Sequence, residues 1–257
     1  MGVRSKLGFL IAVGAVVAVA LAALSTSPAS MARRAPIHAT FQHGLEEAFN
    51  LEGVGEVVPT IVGVGPGKRN KVARFALDGD EERSELILGA DRMGEGTVRF
   101  YEGAEYFYGF SFDIVRMVYG HPGAHNLFMQ FKSNGYGSPL FGLQLWDVYG
   151  KKGLWTGGSS QEVGDSGERF LAPLSERRWH HVRVWFKASE DGHGFYRVYL
   201  DGRLVDRQDH VTMIEPGREF AYIKTGLYRN GGEIPGKSVL LVDSAELGSG
   251  TPNERGR

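Results

Sequence analysis

From Phe41 onward the chain is a succession of short runs in which apolar and polar residues alternate, broken by Gly, Asp and Asn. Period-two alternation marks a half-buried strand, because successive side chains point to opposite faces of a sheet. Val72–Leu77, Arg83–Leu88, Gly96–Tyr101 and Tyr106–Ile114 come first, then Leu127–Lys132, Leu140–Trp146 and His180–Phe186. Phe195–Leu200 and Arg203–Asp206 flank Asp201-Gly202, a dipeptide suited to the type I′ hairpin turn because both of its central residues take positive φ. Phe220–Tyr228 and Ser238–Leu247 close the series. Helix signals are confined to Leu45–Asn50, enough for a single turn. Many short strands, connections of uneven length and no repeat predict an all-β fold, a two-sheet antiparallel β-sandwich of the jelly-roll, concanavalin-like type.

A chain of 257 residues with 37 glycines, 10 prolines and no cysteine must hold such a sandwich by its core alone,. The absence of cysteine excludes disulfides, thiol nucleophiles and thiolate metal sites. Arg4 and Lys6 are the only charges in the first 32 residues, so the remainder carries 27 − 30 = −3. Nothing in that balance favours a nucleic-acid partner, and any positive groove must be local.

Arg4 and Lys6 precede an apolar run, Leu7 to Leu24, and small residues follow up to Ala32. This is the pattern of a secretory signal peptide, with cleavage expected after Ala32 or, second, Ala29. An uncleaved anchor is the alternative reading, because the run is just long enough to span a bilayer. The organisation expected is residues 1–32 signal or anchor, 33–40 linker, 41–250 one β-domain and 251–257 tail. The protein is then secreted or extracytoplasmic, and a membrane partner is expected only if the N-terminal segment is retained.

Three runs put polar side chains in phase. In Phe220–Asn230 (FAYIKTGLYRN), Tyr222, Lys224, Gly226 and Tyr228 share one face, and Ala221, Ile223, Thr225 and Leu227 the other,. Arg83 and Glu85 share a face in the RSEL run, as do Gln130 and Lys132 in FMQFK. Each alone reads equally as an ordinary solvated face. Together they describe the floor of a polar groove, with a glycine leaving room for close approach to the backbone.

In this order, RSEL, a Gln-centred strand and Tyr-x-Lys-x-Gly-x-Tyr resemble the heparin lyase I-like polysaccharide lyases, relatives of jelly-roll alginate and glucuronan lyases. The similarity extends through YFYGFSFDI, WHHVRVWFK, YRVYLDGRLV and LLVDSAELG, spanning about residues 41–248. It implies β-elimination at a uronate in an acidic polysaccharide of the glucuronan, alginate or glycosaminoglycan type. It assigns Arg83 and Gln130 to the substrate carboxylate or the adjacent sugar, Tyr228 to acid or base work, and Lys224 to favouring the phenolate of Tyr228. Glu85 would orient Arg83. Glu85, Tyr222, Arg229, Trp146 and Trp155 are expected on the substrate side.

The family pattern commonly reads Gln-x-His on the middle strand, and here the third position is Lys132. Four readings stay open: Tyr228 makes both proton transfers, in the syn geometry of D-glucuronate or D-mannuronate; Lys132 is the base; a histidine from elsewhere replaces the missing one; or the site binds carbohydrate without turnover. His121 and His125 flank a Pro-Gly loop near the middle strand. His125 lies five residues from Gln130, so an uninterrupted strand sends it to the opposite face. His180, His181 and His193 read as packing, surface or turn residues. No HExxH spacing occurs, so no transition-metal site is expected. Asp243 is either a calcium ligand, the one cofactor foreseen, or a hydrogen-bonded structural carboxylate. A glycoside hydrolase would need two in-phase carboxylates, which no strand supplies.

Overall fold

The computed structural model describes residues 37–43, 49–51, 57–88, 99–134, 137–157 and 167–250. Fifteen strands run in chain order: β1 (Ile37–Ala39), β2 (Phe49–Leu51), β3 (Thr60–Val64), β4 (Asn70–Leu77), β5 (Arg83–Leu88), β6 (Glu105–Arg116), β7 (Asn126–Ser133) and β8 (Phe141–Val148). There follow β9 (Lys151–Gly157), β10 (Arg169–Pro173), β11 (Trp179–Lys187), β12 (Gly194–Leu200), β13 (Arg203–Val211), β14 (Ala221–Arg229) and β15 (Ser238–Ser249).

All described pairings between strands are antiparallel, in two sheets. One runs β13-β12-β11-β6-β15-β4-β3, with β1 added alongside β15; the other runs β10-β9-β8-β7-β14-β5-β2. The expected sandwich is therefore the fold. Its inner faces carry the apolar half of each alternating run. Phe110 and Phe112 of β6, Phe128 and Phe131 of β7, Val182 and Phe186 of β11, and Ile223 and Leu227 of β14 meet in one core. Truncating any of these large buried side chains to alanine removes roughly 2–5 kcal/mol. A hydrogen bond crosses this layer: the hydroxyls of Tyr108 and Thr225 lie 2.7 Å apart, which satisfies both in a dry environment. At the edge, Arg169 of β10 donates to Tyr196 (2.5 Å) and Asp206 (2.8 Å), tying one sheet to the other.

The Asp201-Gly202 turn forms with positive φ at both residues (50° and 77°). β3, β9 and β10 have weak alternation and were not foreseen. Ile37–Ala39, within the stretch read as a linker, pairs with β15. Phe49–Leu51 pairs with β5 as a strand, where the sequence suggested a turn of helix; residues 44–48 lie outside the described residues. So do the signal segment, the tail and residues 96–98 of the Gly96–Tyr101 run, of which Phe100 bridges Ala221.

Candidate active site

The three polar runs lie side by side. β14 is flanked by β7 on one edge and β5 on the other, with Lys224 opposite Gln130 and Ile87, Gly226 opposite Glu85, and Tyr228 opposite Arg83. The in-phase side chains share the face turned away from the core. At Gly226 the absent side chain matters. With φ +146°, a Cβ there would lie 2.2 Å from the Ser84 carbonyl oxygen and 2.8 Å from the Glu85 Cα. Across it, the Gln130 amide Nε2 donates to Glu85 Oε1 at 2.5 Å, and the other carboxylate oxygen lies 3.6 Å from Arg83 Nε. Glu85 is buried, so one desolvated carboxylate fixes both a guanidinium and an amide, which is how a charge-assisted contact gives orientation.

Arg83 also lies over the Tyr228 ring, 4.0 Å from its centroid. The phenol is flanked on another side by His125, with ring centroids 4.4 Å apart. His125 was expected on the far face. A bulge puts it here: in β7 both Phe128 and Met129 point into the core, and the register against β8 slips between Leu127 and Met129. One extra residue reverses the alternation, so His125 and Gln130 share a face although five apart. The His125 backbone N–H donates to Asn230 Oδ1 at 2.8 Å, and its Nε2 has no hydrogen-bond partner among the described residues. Burial, then the positive charge of Arg83, pulls the imidazole down to about 4, against the opposing contact with Asn230. The ring is therefore neutral at physiological pH.

Beside Tyr228 and His125 opens a cavity of about 250 Å³, room for a single sugar ring, walled also by Leu127, Gln144, Trp146 and Glu168. The Trp146 ring is buried at 2% exposure. Trp155 packs between Trp146 and Phe170 (centroids 5.8 and 5.4 Å) and supports the wall from behind.

Several expected site residues stand elsewhere. Lys224 is buried and four residues along β14 from Tyr228, roughly 13 Å at about 3.3 Å per residue. The cation beside the phenol is thus Arg83. Lys132 pairs with Tyr222, six residues along β14 from Tyr228, roughly 20 Å on the same rise, so it does not share the phenol's surroundings. Tyr222 is buried against Ile87 and Phe220. Arg229 is fully buried on the other face, its guanidinium donating to the carbonyls of Gly79, Glu81 and Gly236, a structural post and not a substrate contact. Asp243 Oδ2 accepts from Asn70 at 2.9 Å, and no cluster of three or more acidic or His side chains suited to a metal occurs among the described residues.

Solved structures share this arrangement of strands at low identity. The endo-β-1,4-glucuronan lyase from the fungus Trichoderma reesei superposes with a TM-score of 0.59 at 19% identity, over 83% of this chain and 95% of that one. The family 7 alginate lyase A1-II′ gives 0.52 at 14% identity, over 71% and 79%. Alginate lyase AlyC3 gives 0.51 at 15%, over 69% and 75%. No curated protein matches by sequence. A family model described as polysaccharide lyase matches residues 59–246, a span that contains all three polar strands, the bulge that turns His125 and the cavity beside Tyr228. The chain belongs to the polysaccharide lyase family.

Proposed function

We propose that this chain is an exported lyase that cleaves a uronate-containing polysaccharide by β-elimination. The observation that carries the reading is the packing of Tyr228 between Arg83 and a neutral His125, next to a Glu85–Gln130 pair and a sugar-sized cavity. β-Elimination needs three services: a cation or donor to stabilise charge developing on the uronate carboxylate, a base for the C5 proton, and an acid for the departing O4. Arg83 and Gln130, both held by Glu85, serve the first as fixed donors that need no reorganisation. His125 Nε2, neutral and unpartnered, accepts the C5 proton, and the Tyr228 hydroxyl gives its proton to O4. The C5–H and C4–O4 bonds break, the C4=C5 bond forms, and proton return from His125 to Tyr228 closes the cycle. Because the two rings stand side by side, they address one face of the sugar. That favours syn elimination, and hence D-glucuronate or D-mannuronate over their C5 epimers. The basic and apolar N-terminal segment supports export.

Incubation with glucuronan, mannuronate-rich alginate and desulfated heparin chains, followed by the ultraviolet absorbance of the conjugated 4,5-unsaturated uronate, tests the proposal. A rise on at least one is expected. Tight binding with no rise on any would return the protein to a carbohydrate-binding module.

The acid limb of the pH profile tests the histidine. An unperturbed imidazole would lose its base form below about pH 6.5. With its pKa lowered to about 4, His125 stays a base until the pH falls through that value. The acid limb of kcat/KM, which reports the free enzyme, is therefore expected near pH 4, and to disappear or move in His125→Gln. A limb at 6.5, or an identical limb in the variant, would remove His125 from the proton path.

A further inference from the structure

The trough is electrically lopsided. Arg83, Lys132 and Lys224 lie along the three polar strands, whereas no Lys or Arg lines the cavity among the described residues. But for one carboxylate, what lines it is uncharged. Gln144, one of the lining side chains, has its Oε1 buried with no hydrogen-bond partner among the described residues. A buried amide oxygen left unsatisfied is costly unless a ligand or water completes it. A sugar hydroxyl, both donor and acceptor, meets that need. Glu168 stands at the open rim as the one anionic side chain of the lining, with its carboxyl shifted upward by partial burial and no hydrogen bond or ion pair among the described residues. Gly157 makes the arrangement possible, because a Cβ there would lie 2.6 Å from Gln144 Nε2 and 3.5 Å from Glu168 Cγ.

Resting on the reading of this site as a uronate lyase, we infer that the cavity is a hydroxyl-recognising subsite for the sugar across the scissile bond from the uronate engaged by Arg83. Glu168 is its specificity determinant against sulfate esters. A sulfate directed at the Glu168 rim would meet a carboxylate, with no Lys or Arg in the lining among the described residues to offset it, and a like charge of this kind discriminates by repulsion and not by lost contacts. The substrate class is then an unsulfated polyuronate or an unsulfated glycosaminoglycan backbone.

The test uses full-length protein carrying Tyr228→Phe, which keeps the groove while turnover is slowed by about 10³-fold. It is titrated calorimetrically with oligosaccharides of the polymer the wild type cleaves and with their partially O-sulfated forms. Sulfation is expected to weaken binding by about tenfold or more, a modest like-charge penalty. Glu168→Gln in the same background should narrow the difference to within about threefold, and Glu168→Asp should retain it. Equal affinity for both forms in the parent, or undiminished discrimination in Glu168→Gln, overturns the inference and leaves the lyase reading standing. Absence of binding to every oligosaccharide, with no absorbance change from the wild type, removes the lyase reading itself.

Discussion

Tyr228→Phe should lower lyase turnover by about 10³-fold, the middle of the range for a positioned acid–base group, while the protein melts close to where the wild type does. The change removes one oxygen. The ring that Arg83 covers at 4.0 Å and His125 abuts at 4.4 Å remains, and so does the β14 register that holds it opposite Arg83. A stability change below about 1 kcal/mol is expected for losing a hydroxyl that is not buried in the core. The loss should fall on kcat and on kcat/KM together, because in the proposed mechanism the phenol's proton reaches O4 only as that bond breaks. Initial rates of absorbance change at saturating and limiting polymer separate the two parameters. An unchanged kcat would show that O4 leaves with some other proton, and Tyr228 would keep only a binding role.

How much of this site could be read from the chain differs from strand to strand, for physical reasons. β14 was legible because its two faces differ in chemistry at every step, with Tyr222, Lys224, Gly226 and Tyr228 against Ala221, Ile223, Thr225 and Leu227. The adjacency of β5, β14 and β7 is a non-local pairing that alternation cannot encode; the resemblance supplied it through the order of the motifs. His125 was misplaced because the bulge falls in Leu127-Phe128-Met129, three apolar residues in succession. A period-two pattern gives no phase across such a run, and that lapse of alternation is itself the signal that a slip was available. Lys132 and Lys224 carry the right charge on the right face. Distance along the strand, which face assignment ignores, separates them from Tyr228. In β9 two glycines, and in β10 the Pro173 terminus, dilute the alternation that would mark these strands.

Arg229 was expected at the substrate, and its replacement should instead act on stability. In Arg229→Met the thermal midpoint should fall by about 10 °C or more, corresponding to roughly 3–5 kcal/mol at about 2–4 °C per kcal/mol for a domain of this size. The guanidinium is fully buried and donates through Nη2 to the carbonyls of Gly79 (2.9 Å) and Gly236 (2.8 Å) and through Nε to that of Glu81 (2.9 Å). Methionine fills much of the volume with apolar atoms but offers no donor. The Gly79 carbonyl keeps the Gly236 N–H (2.8 Å), while those of Glu81 and Gly236 lose their side-chain donor at about 1–3 kcal/mol each if they stay buried. Relaxation of the 79–81 turn toward water should recover part of that, and the lost contacts to Gly79 and Ser238 Oγ offset the recovery. Two segments distant in sequence, 79–81 before β5 and 236 before β15, are joined by this side chain together with the Gly236 N–H, which donates to the Gly79 carbonyl. Limited proteolysis should therefore cut the variant first in these turns. The Michaelis constant, measured well below the new midpoint, should stay within about threefold of the wild type, since the side chain lies on the opposite face of β14 from the trough. A variant that melts with the wild type but binds polymer tenfold more weakly would restore Arg229 to the substrate side and require β14 to present a different face than the one described.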